Sequence, residues 1–162
     1  MIRRPALLLA LGVLAAACAG GGGDGGQGGG GPRGCKCDPP GCPTVSFTGN
    51  IQPLFNRSCA TSSQCHGPNG AEGLELTPGN SISNTVGVKA SQVVRKLLIK
   101  AGEPGDSYLF QKTVGAPGIA GIRMPQGCPG TAAGGAVCPT QDEINALEQW
   151  ITECATDTPS LP

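Results

Sequence analysis

A glycine-rich run between residues 19 and 34 limits where this chain can fold, because eleven of those sixteen positions are glycine. Glycine has no side chain to bury and loses more conformational freedom on folding than other residues. Residues 19–34 are therefore expected to be a disordered linker that acts as a spacer. A folded unit can start only near Cys35.

The remaining sequence is short of aromatic side chains, with three Phe, one Tyr and one Trp in the whole chain. Aromatic residues usually supply much of the area that a small core buries. A small domain with so few of them normally depends on disulfides, a metal ion or a large apolar cofactor. The nine cysteines of the chain are consistent with that expectation.

The first eighteen residues, 1–18, have the layout of a secretory signal. Arg3 and Arg4 precede the apolar stretch Ala6–Ala17, and small residues lead directly to Cys18. This end resembles the lipobox of bacterial lipoproteins, which implies lipidation of Cys18. An ordinary signal cleaved near the same point is the alternative. We expect an exported, lipid-anchored protein of the bacterial cell envelope, on the periplasmic side or at the outer membrane.

The charges and the hydropathy of the mature sequence limit its partners. The whole chain has eleven Lys and Arg and eleven Asp and Glu, and without Arg3 and Arg4 of the signal nine basic residues remain against eleven acidic ones. After the signal the basic residues are scattered singly, except for Arg95 and Lys96. Nucleic-acid-binding domains instead carry a basic patch. No nucleic-acid partner is expected, and because no second apolar run has membrane-spanning length, the lipid is expected to be the only anchor.

Eight cysteines remain after Cys18, and export places them in an oxidising compartment where free thiols are unusual. Three of them fall in a Cys/Pro-rich segment, residues 35–46, that is typical of a small disulfide knot. Two others bracket a Gly/Ala loop that a local bridge can close, and the last one needs a distant partner. The disulfide candidates are Cys35, Cys37, Cys42, Cys128, Cys138 and Cys154.

Helical signals recur along the rest of the chain. A short helix capped by Asn50, with Pro53 in its first turn, is expected to run into Cys59. Residues 93–99 are apolar and fit either a helix or a strand. Asp106 is expected to cap a second short helix through residues 108–110, which Gly115 and Pro117 end.

The final helix has the clearest sequence signal. Thr140 and Glu143 have the spacing of a capping box, in which each side chain satisfies a backbone donor near the other residue. Apolar residues then follow at helical intervals from Ile144 to Cys154. Because strand signals are sparse, we expect an all-α domain with long loops and several disulfides.

The chain has one histidine, His66, directly after Cys65, with Cys59 upstream at the end of the first predicted helix. Two cysteines followed by an adjacent histidine are typical of covalent haem attachment. In such attachment sites the two thiols form thioether bonds to the haem edge, and the histidine binds the iron. Met124, in a loop before the final helix, is a candidate for the opposite ligand position.

Further residues extend this pattern over residues 47–158. They follow one order along the chain: Asn50–Phe55, Cys59, Cys65-His66-Gly67, Gly102–Leu109, Arg123-Met124-Pro125 and Glu143–Ile151. In this order they resemble a small bacterial cytochrome c-like domain of the monohaem class I type. The resemblance implies an all-α fold around one haem c, electron transfer as the activity, attachment at Cys59 and Cys65, and His66 and Met124 as axial ligands.

The spacing of the two attachment cysteines departs from that family. Five residues, 60–64, separate them where two are usual. Two residues form one helical turn that sets both sulfurs beside the vinyl groups, whereas five require a looped-out segment. A disulfide between Cys59 and Cys65, in a haem-free descendant of the fold, is therefore an alternative. A zinc site built from Cys59, Cys65, His66 and one more cysteine is a further alternative.

The leading functional hypothesis is a membrane-tethered electron carrier that exchanges electrons with redox partner proteins at or near the membrane. It is not expected to be an enzyme, because one histidine and no clustered carboxylate pair supply neither a triad nor an acid/base dyad. If the iron lacked its sixth ligand, the open coordination position would make peroxidase-like chemistry an alternative. The alternative function is a haem-free, disulfide-stapled lipoprotein with a structural or interaction role.

Overall fold

A computed structural model describes residues 44–157, and within this range the regular elements are all helical. The expectation of an all-α fold is confirmed at this level. A π-helical turn precedes α1, and two 3-10 turns lie between the longer helices. The elements are the π turn Phe47–Ile51, α1 Gln52–Ser58, the 3-10 turn Ala71–Gly73, α2 Ser81–Thr85, the 3-10 turn Pro104–Asp106, α3 Tyr108–Val114 and α4 Gln141–Thr152.

Several sequence predictions concern residues outside the described range. The signal and Cys18, the linker 19–34, most of the segment 35–46 and the cysteines Cys35, Cys37 and Cys42 all precede residue 44. Within residues 44–157 no helix is long and apolar enough to cross a membrane.

The helix α1 ends at Ser58 and leads into Cys59, as the sequence predicts, with Pro53 in its first turn. The prediction that Asn50 caps this helix is wrong. The chain is already coiled in the π turn before α1, whereas an N-cap requires extended backbone geometry. The Asn50 side chain instead accepts a hydrogen bond from the Ser46 amide at 3.1 Å.

The helix α3 begins directly after Ser107 and ends at Gly115, whose φ of 74° is the left-handed conformation that glycine adopts readily. The end of this helix is therefore confirmed. Asp106 does not cap it, contrary to the prediction. Asp106 lies in the preceding 3-10 turn, and its carboxylate pairs with Lys100 Nζ at 3.2 Å.

The helix α4 has the predicted capping box. The Thr140 hydroxyl accepts a hydrogen bond from the Glu143 amide, and the Glu143 carboxylate accepts one from the Thr140 amide. Ile144 and Leu147 are buried on the inner face of the helix, together with Trp150 and Ile151. The predicted apolar stripe is therefore confirmed as core from Ile144 to Ile151, whereas Cys154 lies beyond the end of the helix and is only partly buried.

The core joins the first elements of the described chain to the last helix. The Phe47 ring lies 6.1 Å from the Phe55 ring and 5.1 Å from the Trp150 ring, measured between centroids. Aromatic pairs at such distances contribute beyond the area they bury. The other buried core residues are Ile51, Leu54, Leu76, Ile99, Ala101, Leu109, Phe110, Ile144, Leu147, Ile151 and Ala155.

The apolar stretch 93–99 forms neither a regular helix nor a strand. It makes isolated bridges, in which Ile99 pairs with Val86, and Leu97 pairs with Lys89 and Ser107. Its apolar residues do not share one environment, since Ile99 is fully buried whereas Val94 is 86% exposed. The absence of a clear hydrophobic period in the sequence reflects this irregular path.

The described cysteines differ in their state. Cys128 and Cys138 form a disulfide, which confirms the expected local bridge across the Gly/Ala loop. Cys154 is also disulfide-bonded. Cys59 and Cys65 are free thiols, so they do not form the disulfide considered as an alternative.

Candidate functional site

A cleft of about 480 Å³ opens between the loops that follow α1 and the helix α3. Cys59, Cys65, His66 and Met124 all line it. These residues span more than sixty positions of sequence, and the fold brings them to one cavity. Its volume falls within the usual range for small-molecule and cofactor sites. We call this cavity the central cleft.

The five residues between the two cysteines, 60–64, form a closed turn that returns the chain to α1. The His66 amide donates a hydrogen bond to the Cys59 carbonyl at 2.9 Å, across this whole segment. Inside the turn, the amides of Cys65 and Gly67 donate to the Ser62 carbonyl at 3.1 and 2.8 Å. Both thiols therefore reach the central cleft despite the long spacing.

The Cys59 thiol is uncharged at neutral pH. Its burial, together with the neighbouring Cys65, raises the pKa of Cys59 to about 12. Thiolate is the form that binds zinc, so this environment opposes a zinc site. Among the residues that the structure describes, no group of three or more His, Cys, Asp or Glu side chains is arranged to hold a metal ion.

The His66 ring is oriented by a backbone contact. Its Nδ1 lies 3.3 Å from the Leu74 carbonyl oxygen. A carbonyl can only accept a hydrogen bond, so Nδ1 carries the proton and Nε2 keeps its lone pair. Metal-binding histidines are commonly held by this kind of hydrogen bond on the second ring nitrogen.

The electrostatic surroundings keep His66 neutral. Burial is the main cause that lowers the pKa of His66, and the nearby positive charge of Lys112 adds to it. Hydrogen bonds to the backbone of Leu74 and Ala71 oppose the change without cancelling it. A neutral imidazole is the form that ligates iron.

The segment between His66 and Leu76 holds this ring in place. The Leu76 amide donates to the His66 carbonyl at 2.8 Å, and the Ala71 amide donates to the Cys65 carbonyl at 2.6 Å. Gly70 lies where the chain crosses itself, since a Cβ there would be 2.5 Å from the Leu74 oxygen and 2.7 Å from the His66 Cα. Only glycine fits that close approach.

Met124 lies on the loop that follows α3 and is partly buried. Its amide donates a hydrogen bond to the Lys112 carbonyl at 2.8 Å. One residue earlier, Arg123 Nε donates to the Thr113 carbonyl at 2.7 Å. The loop that carries Met124 is thus attached to the last turns of α3.

Two side chains of α3 that the sequence did not single out also line the central cleft. The Tyr108 hydroxyl accepts a hydrogen bond from the Ala120 amide at 3.0 Å. Lys112 was not singled out, and its Nζ donates to the carbonyls of Ala120 and Ile122 at 2.7 and 2.9 Å. Their spacing of four residues places both on one helix face, which is the only sequence signal for them.

The donor set of the central cleft fits a covalently attached haem. It supplies two free thiols for the vinyl groups, a neutral imidazole with its Nδ1 engaged, and one thioether sulfur. The walls of the cleft include the apolar side chains of Leu76, Leu98 and Leu109, and a flat apolar macrocycle requires such walls.

Comparison with known proteins finds no matching family model, no matching curated protein and no matching solved structure.

Proposed function

We propose that this protein is an electron carrier of the cytochrome c-like type, with one haem c in the central cleft. The observation that carries the proposal is the convergence of Cys59, Cys65, His66 and Met124 on one cavity. Cys59 and Cys65 would hold the haem through thioether bonds, while His66 and Met124 would occupy the two axial positions. The bound iron supplies a one-electron redox centre.

The residues around the cleft support electron transfer rather than turnover of a substrate. His66 and Met124 together would fill both axial positions and leave none open to a substrate. A soft, neutral thioether opposite an imidazole stabilises ferrous iron and raises the reduction potential. The apolar walls limit water access, which also favours the less charged ferrous state.

The state of the cysteines favours this function over the haem-free alternative. Cys128, Cys138 and Cys154 are oxidised, whereas Cys59 and Cys65 are the two that remain free among the described residues. In an oxidising compartment a pair of neighbouring thiols is expected to be consumed by another bond. Thioether formation consumes both without a disulfide.

The proposed cellular setting follows from the sequence alone. We propose that lipid on Cys18 anchors the chain in the bacterial cell envelope, and that the linker 19–34 lets the domain reach redox partner proteins at or near the membrane. A tether of this composition behaves as a flexible chain, so it allows contact with partners at a range of distances.

The decisive experiment measures covalent haem on the exported full chain. The protein is produced in a bacterial host with c-type maturation factors, and its intact mass and absorption spectrum are recorded under denaturing conditions. We expect one haem per chain and ferrous absorption bands. A double variant, Cys59→Ala with Cys65→Ala, should carry none.

The control is a cytochrome with the ordinary spacing, matured in the same cells. If that control acquires haem while this chain has a mass that fits disulfides alone, the proposal is wrong. The haem-free, disulfide-stapled lipoprotein then becomes the supported function. Haem on this chain would also establish that five residues between the cysteines are tolerated.

A further inference from the structure

The ammonium group of Lys112 has an unusual set of partners for a lysine near a protein surface. Its Nζ donates to two backbone carbonyls, those of Ala120 and Ile122, at 2.7 and 2.9 Å. Within residues 44–157 no carboxylate forms a salt bridge with it, whereas Lys100 pairs with Glu103 and Asp106. The ammonium group of Lys112 is thus bound by carbonyls of the loop and is not paired with a carboxylate among the described residues.

The same residue contacts the loop through its backbone as well. The carbonyl of Lys112 accepts the hydrogen bond of the Met124 amide at 2.8 Å. The Lys112 side chain therefore holds the loop at Ala120 and Ile122, four and two residues before Met124. The Lys112 main chain holds Met124 itself. Two further hydrogen bonds join α3 to this loop, from the Ala120 amide to the Tyr108 hydroxyl and from Arg123 Nε to the Thr113 carbonyl.

We propose that Lys112 is the positioning residue that holds Met124 against the central cleft as the axial ligand opposite His66. This inference rests on the proposed function. A thioether is a weak, neutral ligand, so its occupancy of the iron depends on how firmly its loop is held. Groups that orient metal ligands typically change metal-site properties by about 10- to 100-fold when they are removed.

The test compares Lys112→Leu with Lys112→Arg, Arg95→Leu and Met124→Ala in the exported full chain. Leucine keeps an apolar side chain, donates no hydrogen bond and adds no sulfur that could bind iron. Arginine keeps the charge and the donors. Arg95 is exposed and does not line the central cleft, so its variant controls for the loss of a charge.

The main readout is the affinity of the ferric protein for added imidazole, which must displace the native ligand. We expect Lys112→Leu to attach haem normally and to bind imidazole about 10- to 100-fold more tightly than wild type. Its affinity should approach that of Met124→Ala. Lys112→Arg should recover most of the wild-type value, and Arg95→Leu should leave it unchanged.

A second readout does not depend on haem. Hydrogen–deuterium exchange of the amides of residues 120–124 should be faster in Lys112→Leu than in wild type, with α4 unchanged as an internal control. Imidazole affinity and amide exchange equal to those of wild type would overturn the inference. Wild-type protein without haem would reject the proposed function and the ligand-positioning role together, and the exchange data would then decide only whether Lys112 holds the loop.

Discussion

The carboxylate of Glu153 joins the two ends of the described chain. Although only 2% of the residue is exposed, its oxygens accept hydrogen bonds from the amides of Thr44 and Val45 at 2.9 and 3.1 Å. Burial acts to raise the pKa of Glu153, but the hydrogen bonds from Gln149, Thr44 and Val45 outweigh it and lower the pKa. Charge-assisted hydrogen bonds of this kind are stronger than neutral ones.

Glu153→Gln is expected to lower the free energy of unfolding by about 1 to 3 kcal/mol at neutral pH, because the amide cannot replace all the accepted bonds. Since the folded-state pKa is depressed, the contribution of the carboxylate is present above the unfolded value, about 4.3. It is lost as the pH falls through the folded-state value. The difference between variant and wild type should therefore shrink in acid.

Urea unfolding between neutral and acidic pH measures this difference. Glu148→Gln is the matched control, because Glu148 lies on the exposed face of the same helix. Its effect should stay within about 0.5 kcal/mol at every pH. An equal pH dependence in both variants would contradict the role given to Glu153.

At the level of elements, the segment from His66 to Leu76 determines how the imidazole is presented. The 3-10 turn Ala71–Gly73 returns the chain so that the Leu74 carbonyl meets His66 Nδ1. The turn can close only because Gly70 has no side chain. The orientation of the His66 imidazole at the central cleft thus depends on a short irregular segment rather than on a long helix.

Gly70→Ala is expected to destabilise the protein by about 1 to 3 kcal/mol, as overpacking against fixed backbone commonly does. It should also lower the yield of covalent haem under the conditions described above, because the His66 ring loses its support. Thermal unfolding and haem content per chain are the two measurements.

Gly105→Ala provides the comparison for that change. Gly105 lies in the other 3-10 turn, Pro104–Asp106, and a Cβ there would meet no atom within 4 Å. Its unfolding temperature and haem content should match wild type. Equal behaviour of the two alanine variants would show that the close approach at Gly70 is unimportant.

Sequence reasoning succeeded for elements whose signals are local. The capping box of α4 involves side chains three residues apart, so its pattern is complete in the sequence. The caps assigned to Asn50 and Asp106 were wrong because each residue was drawn into other contacts, with Ser46 in one case and Lys100 in the other. Such competition depends on where neighbouring turns begin, which residue type alone does not reveal.

At the scale of the whole molecule, the central cleft combines parts of the chain that are far apart in sequence. Cys59, Cys65, His66 and Met124 could be singled out because their chemistry is distinctive. Lys112 could not, since a lysine on a short helix is usually solvated. Its role exists only because the loop after α3 folds back over that helix.

The disulfide Cys128–Cys138 stabilises one wall of this assembly. The loop that it closes contains Gly134, where a Cβ would lie 3.2 Å from the Cys65 sulfur. A double variant, Cys128→Ser with Cys138→Ser, is expected to lose about 2 to 4 kcal/mol of stability. For a domain of about 100 residues this corresponds to a decrease in Tm of roughly 10 °C or more.

Calorimetry of the variant and of wild type gives the decrease in Tm directly. A Tm within about 2 to 3 °C of wild type corresponds to a loss of stability under about 1 kcal/mol. It would mean that the loop is held by its other contacts. Haem content, measured in parallel, should fall less than in Gly70→Ala, because Gly70 lies against the His66 Cα whereas the loop closed by the disulfide approaches Cys65.

The contacts of Thr44 and Val45 with Glu153 also determine how the protein responds to mechanical load. The chain enters the described unit beside the end of α4, and no residue of α4 or of the π turn lines the central cleft within residues 44–157. Tension along the preceding chain therefore passes into Glu153 and the aromatic cluster of Phe47 and Trp150. The loop that holds Met124 lies outside that force path, so tension applied before residue 44 leaves the central cleft undistorted.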